Sequence, residues 1–153
     1  MNEETVVRTY ADMVYKIAYR YVADPTDADD VFSETFLTYF KKERVFHDEE
    51  HRKAWLIRVT INCAKDLLRS KCSWEELNES LVAEESDALG SEEALDLHTA
   101  IRQLRFEYRE AICLHYLEGL SIQDIAVVLG RNENTIKTHL ARGREKLRKF
   151  LED

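Results

Sequence analysis

Proline occurs once and glycine four times in 153 residues, far below ordinary usage. A many-stranded β protein needs frequent turns, and turns draw heavily on those two residues. The shortage excludes that class and points to helices joined by short connectors. Cysteine is scarce as well: Cys63, Cys72 and Cys113 are odd in number and lack metal-ligand spacing. Two of them fall within helical patterns and read as buried, reduced thiols. No stretch approaches the ~18 apolar residues of a membrane span, and the opening MNEETVVRTY has no apolar core of a secretory signal. The expectation is a soluble, cytoplasmic, all-α chain without membrane insertion.

Positive charge is also in short supply. Lys and Arg number 22 against 30 Asp and Glu, a net charge of −8 with His neutral. Overall acidity excludes a histone-like protein, whose affinity for polyanions comes from bulk positive charge. The total hides an uneven distribution. Residues 1–70 carry a net −2, residues 71–100 carry −8, and residues 101–153 carry +2. The middle segment alone accounts for a charge of the size of the total.

Helical spacing organises the flanking segments. Tyr10, Val14, Ile17 and Tyr21 recur at steps of three or four, as one face of a helix from Thr5 to Tyr21 requires. Asp24-Pro25 then punctuates the chain. Asp24 can cap a second helix, Pro25 suits its first position, and Asp27, Asp29 and Asp30 suit its positive end. That helix is expected to run to about Lys42, with Ala28, Val31, Phe32, Phe36 and Phe40 inward. A third helix, Glu50 to Lys71, carries Ile57, Ile61, Ala64 and Leu68 on one side, and Leu56, Val59, Cys63 and Leu67 beside them. From Cys72 to Glu93 the period fades into a Glu- and Ser-rich linker, with a short helical piece expected at Trp74–Leu81. Periodicity resumes at Ala94 through Leu95, Leu97, Ile101 and Leu104, and again from Ala111 to Leu117.

The most specific pattern follows. In Leu120-Ser121-Ile122-Gln123-Asp124-Ile125, Ser121 can cap a helix and Asp124 can reach back as the acidic half of a capping box. Leu120 and Ile125 flank that cap as a hydrophobic staple. Leu129-Gly130 ends the short helix, because glycine suits a left-handed turn position. Asn132 offers a new cap, and Glu133–Leu151 reads as a longer helix. Two helices joined by a Gly-containing turn of about three residues match a helix-turn-helix unit. Ala126 is small at the close approach, and Ile125, Leu129, Ile136 and Leu140 are expected inside. The second helix of such a unit enters the DNA major groove with its N-terminal residues toward base edges. Residues 131–149 hold seven Lys or Arg against Glu133 and Glu145, a net +5. That is a phosphate-binding surface.

A second candidate surface lies on the third helix. Trp55, Arg58, Asn62, Lys65 and Arg69 fall at steps of three and four, and residues 52–71 carry a net +5. An aromatic ring with Arg, Lys and Asn suits single-stranded DNA, while Trp55 fits a place in the core equally well. Bases stack on the ring, phosphates meet the cations, and the amide hydrogen-bonds an exposed base edge.

Two such surfaces separated by an acidic tether resemble the extracytoplasmic-function (ECF) sigma factors of bacterial RNA polymerase, over nearly the whole length. DADDVFSETFLTYF followed by AWLIRVTINCAKDLLR is similar to that family's domain two, and LSIQDIAVVLG with NTIKTHLARGREKLRKFL to its domain four. The resemblance implies two small helical domains. Residues 1–71 are a three- to four-helix domain two, 72–93 the acidic linker, and 94–153 a four-helix domain four with the helix-turn-helix. It assigns Asp29, Asp30, Ser33, Glu34, Phe36 and Leu37 to core polymerase binding at the clamp helices of the largest subunit. It assigns Trp55, Arg58, Asn62, Lys65 and Arg69 to the minus-ten element, with Asn62 in the pocket for a flipped base. Arg131, Asn134, Thr135, Lys137, Thr138, His139, Arg142 and Arg144 go to the minus-thirty-five element. Further implied partners are promoter DNA, the flap of the polymerase's second largest subunit and an anti-sigma factor. Ser33 departs from the family's usual Gln, Asn134 from a small residue, and His139 from a common Arg.

No catalytic constellation accompanies these features. The five histidines are scattered, no Gly-rich phosphate loop exists, and neither a metal nor an organic cofactor is expected. The rival reading is an autonomous helix-turn-helix repressor with a helical ligand or dimerisation domain. Such a domain has no use for the exposed basic stripe on the third helix. A third reading is a regulator that mimics a sigma domain, which would inhibit transcription rather than initiate it.

Overall fold

A computed structural model describes residues 2–71 and 92–152, with side chains described from residue 97 in the second stretch. The expected linker and its short helix at 74–81 fall almost wholly outside those residues. The chain divides into two compact units at Leu81/Val82. Every described element is helical.

The first unit begins with α1 (Glu3–Val22), capped by Asn2, whose side-chain oxygen accepts the Thr5 N–H at 2.8 Å. Ala23 closes α1 in the left-handed region at φ 54°, and Asp24 at once caps α2 (Pro25–Phe40). The Asp24 carboxylate accepts the N–H groups of Thr26 at 2.8 Å and Asp27 at 3.1 Å. This corner brings α2 back along α1, and α3 (Glu49–Lys71) packs against both. Val6, Tyr10 and Val14 of α1 meet Phe36 of α2 and Leu56 of α3 in one apolar cluster. Ile17, Ile57, Ile61, Ala64 and Leu68 are buried as well.

Some details differ from the periodic reading. Helix α2 stops two residues short of Lys42. Val59, Cys63 and Leu67 are half-buried, while Thr35 and Thr60 take fully buried places. A buried hydroxyl needs a partner, and each finds one in its own helix: Thr35 donates to the Val31 carbonyl and Thr60 to that of Leu56.

The second unit holds α4 (Glu92–Arg102), α5 (Phe106–Ile112), α6 (Ile122–Leu129) and α7 (Glu133–Glu152), the last packed against the other three. Helix α5 widens into a π-helical turn at Cys113–Leu117. The Glu118 N–H donates to the Cys113 carbonyl there at 3.1 Å, and His115 Nδ1 lies 2.8 Å from the Leu120 carbonyl. The widened turn thereby hands the chain to α6. Gly143, in the middle of α7, lies against α5. A Cβ there would fall 2.9 Å from Ile112 Cγ1 and 3.5 Å from Tyr108 Cβ. Glycine costs about 1 kcal/mol relative to Ala inside a helix, so its presence reflects this close approach.

Candidate nucleic-acid interface

The helix-turn-helix forms as its caps require. Ser121 Oγ accepts the Asp124 N–H at 3.1 Å, with Leu120 and Ile125 buried on either side. Gly130 ends α6 at φ 65°, and a Cβ there would meet nothing within 4 Å. Backbone conformation rather than space therefore selects glycine. The Asn132 side chain accepts the Asn134 N–H at 2.7 Å and starts α7. Val128, not Leu129, is the fully buried partner of Ile125; Leu129 sits at the helix end beside the turn and is half-buried.

On α7, Ile136, Leu140 and Gly143 face inward. Asn134, Lys137, Thr138, Arg142 and Arg144 are exposed, and Thr135 is half-buried. The Thr138 hydroxyl donates to the Asn134 carbonyl, and the Arg144 guanidinium donates to the Tyr116 hydroxyl at 3.0 Å. Two expected contact residues are not on this exposed face. Arg131 forms an ion pair with Glu110 at 3.1 Å, and the Glu110 side chain is only 1% exposed. His139 is half-buried on the flank toward α5, its ring 5.5 Å from that of Tyr108. Its Nδ1 is buried and has no hydrogen-bond partner among the described residues.

Burial first, and then the Arg131 charge, push the His139 pKa below its ordinary 6.5. The unfolded chain therefore binds a proton more readily than the folded one, and stability rises with pH in that window. Acidification from 6.5 toward the folded value should destabilise the second unit. His139→Gln should flatten that slope when unfolding by urea is followed across pH.

On α3, Arg58, Asn62 and Arg69 are exposed and Lys65 is half-buried. The Lys65 ammonium lies 5.8 Å from the Tyr21 ring centre, and Arg69 pairs with Asp66 at 3.2 Å. Lys71 reaches back to Asp27 at 2.7 Å and ties the end of α3 to the start of α2. Trp55 belongs to an aromatic cluster at the head of the helix. Its ring centre lies 5.7 Å from Tyr39 and 6.1 Å from Phe46, both edge-on, and the Arg44 guanidinium covers it at 4.3 Å. Arg52 also turns inward: it pairs with Glu49 and donates to the Tyr39 hydroxyl, while Tyr10 donates to Glu49 at 2.6 Å. The stripe's exposed side chains are thus Arg58, Asn62 and Arg69, with Lys65 half-buried among them. Tyr39, Arg44 and Phe46 were not anticipated at this site; the aromatic-rich run from Phe36 to Phe46 was their only trace.

On α2, Asp29, Asp30, Ser33, Glu34 and Leu37 share one exposed face, and Leu37 is 58% exposed. Phe36 does not belong to that face. It is 5% exposed and packs with Val6, Tyr10, Val14 and Leu56, because one step along a helix turns a side chain by about 100°. Cys63 and Cys113 are half-buried thiols that form no disulfide with each other. Among the described residues no cluster of three His, Cys, Asp or Glu could hold a metal, and no helix is long and apolar enough to cross a membrane.

A helical bundle with an exposed polar stripe, followed by a capped helix-turn-helix unit with a basic second helix, defines a two-part DNA-binding protein of the transcription machinery. Residues 6–72 match the family description Sigma-70 region 2, and residues 94–147 match Sigma-70, region 4. The chain is 30% identical to the ECF RNA polymerase sigma factor SigW of Bacillus subtilis, over 97% of its own length and 88% of that relative's. It is also 30% identical to the ECF RNA polymerase sigma factor SigE of Mycolicibacterium smegmatis, over 97% of its length but 61% of the relative's. The crystallised sigma factor RpoE of Bartonella quintana, in complex with the anti-sigma factor NepR, superposes with a TM-score of 0.74. That match is at 25% identity and covers 97% of this chain and 96% of that one. The chain belongs to the ECF RNA polymerase sigma factors.

Proposed function

We propose that this sigma factor divides promoter recognition between its two units, with residues 1–71 acting as domain two, 72–93 as the tether and 94–153 as domain four. The observation that supports this reading is the pair of exposed polar helix faces, one on each unit. Asn134, Lys137, Thr138, Arg142 and Arg144 on α7 read the duplex minus-thirty-five element, with Thr135 at the edge of the same face. Arg58, Asn62, Lys65 and Arg69 on α3 capture the melted minus-ten strand, and Trp55 shapes the head of that surface. Captured bases offset the few kcal/mol that unstacking each step costs.

Asp29, Asp30, Ser33, Glu34 and Leu37 form the docking face for the clamp helices of core polymerase. An exposed leucine among carboxylates suits a partner surface with an apolar notch and basic rim. Domain four engages the polymerase flap. An anti-sigma protein holds the factor until a signal releases it, as the Bartonella relative's complex with NepR suggests. No catalytic chemistry of its own is assigned to the chain.

Reconstitution with core RNA polymerase tests the reading. The chain should co-purify with core at low salt, and the assembled holoenzyme should protect a defined set of sequences from a random duplex pool. Absence of a holoenzyme under those conditions would exclude it. Lys137→Ala should weaken holoenzyme binding to the selected duplex about tenfold, the order of one lost groove or phosphate contact. It should leave transcription from a template already open at the minus-ten region nearly unchanged.

A further inference from the structure

Arg131 stands at the turn of the helix-turn-helix, one residue after Gly130 and one before the Asn132 cap of α7. Its sequence position, charge and neighbours all suit a phosphate contact, yet the side chain points elsewhere. The side chain is 26% exposed, and a buried guanidinium nitrogen lies 3.1 Å from a carboxylate oxygen of Glu110, whose side chain is 1% exposed. The Arg131 N–H donates to the Ala126 carbonyl at 2.9 Å, so backbone and side chain are both held from beneath. Glu110 lies on α5, the helix against which α7 packs most closely at Gly143 and Ile112.

From this geometry we infer that Glu110 and Arg131 are a positioning pair: the buried carboxylate holds the turn through the guanidinium and thereby fixes the angle at which α7 is presented to DNA. Arg131 then acts on binding through the orientation of Asn134, Lys137 and Arg142 rather than by touching a phosphate. The physical reason is the burial of Glu110. A carboxylate removed from water requires a charged partner, and the turn residue supplies it. The pairing converts a mobile element type, a three-residue turn, into one anchored to the helix below. The groups around the pair fit the assignment. Glu107 and Glu110 of α5 face His139 together with Arg131 and Arg142, and the Arg131 charge is one cause of the lowered His139 pKa.

This inference rests on the proposed reading of domain four as the duplex-binding unit, and its test separates the two. Holoenzyme made with the full chain is titrated against the duplex selected by the wild type, at several salt concentrations. A residue that neutralises a phosphate contributes about one unit to the slope of log affinity against log salt; a positioning residue contributes none. Glu110→Gln and Arg131→Gln should each weaken duplex binding about tenfold with the slope unchanged. The double variant should be no weaker than either single one, since both remove the same interaction. A slope reduced by about one unit in Arg131→Gln, with Glu110→Gln binding like the wild type, would overturn the inference and make Arg131 a phosphate contact. If Glu110→Gln fails to fold, as loss of ellipticity in the free chain would reveal, the slope of Arg131→Gln decides alone, because its side chain is partly exposed. Failure of the wild-type holoenzyme to select any duplex would instead refute the underlying reading of domain four.

Discussion

Replacing Arg58 and Asn62 of α3 together by alanine should lower open-complex formation about 100-fold and leave duplex capture by the upstream element almost untouched. Both side chains are exposed on a helix whose opposite side, through Leu56, Ile57, Ile61 and Ala64, is fully buried. Their removal therefore has little effect on folding. Each is expected to serve the melted strand, Asn62 through the edge of an extruded base and Arg58 through the backbone. Two contacts of about 1.5 kcal/mol each correspond to the stated loss. Permanganate footprinting of the transcription bubble, set beside binding to the intact duplex, separates the two steps. Equal losses at both would contradict the division of labour between the units.

Gly143→Val should destabilise the second unit by about 3 kcal/mol, enough to lower its melting temperature by roughly 15 °C. The substituent would enter the space of Ile112, which is 2% exposed and already 2.9 Å from an ideal Cβ position. Gly143→Ala should cost less, because alanine regains about 1 kcal/mol of helix propensity against the smaller overlap. Combining Gly143→Val with Ile112→Ala should recover part of the loss, a non-additive result expected only of groups in direct contact. Calorimetry of the full chain should show the effect confined to one transition, because Ile112 and Tyr108, the neighbours of Gly143, belong to its own unit.

The elements themselves were legible in the sequence, since their signals are local. Asp24, Ser121, Gly130 and Asn132 announce helix ends through side-chain oxygens or a left-handed φ, and each performs that task in the structure. Inward stripes such as Val14, Ile17 and Tyr21, or Ile57, Ile61 and Ala64, depend only on period. What local signals missed was pairing between distant residues. The period alone placed Phe36 inward, where it lies with Val6 and Leu56; its assignment to the docking face beside Leu37 came from the resemblance. Trp55 reads equally as a stacking platform or as core, and Tyr39 of α2 with Arg44 and Phe46 of the α2–α3 connection close around it. Arg131 counts toward a basic surface until Glu110, 21 positions earlier, claims it. His139 follows the same logic, lying on the flank that Tyr108 covers. Charge counted along a segment overstates the charge presented to a ligand, because Arg52, Arg69, Lys71 and Arg131 all have carboxylate partners. The close approach at Gly143 does leave a local trace, a helix-breaking residue placed mid-helix.

These pairings sharpen the electrostatic picture. The exposed cations that remain include Arg58 on α3 and Lys137, Arg142, Arg144, Lys146 and Arg148 on α7. A chain of net charge −8, its basic helix faces outweighed by carboxylates elsewhere, should bind duplex DNA weakly alone and gain affinity only when polymerase contributes its own contacts.

Run-off transcription with purified core RNA polymerase, on a template carrying a holoenzyme-selected sequence, tests the central claim most directly. Transcripts of one defined length should require both core and this chain, and should be lost when either is omitted. Tight binding of the chain alone to that sequence, with inhibition of transcription in place of initiation, would contradict the account.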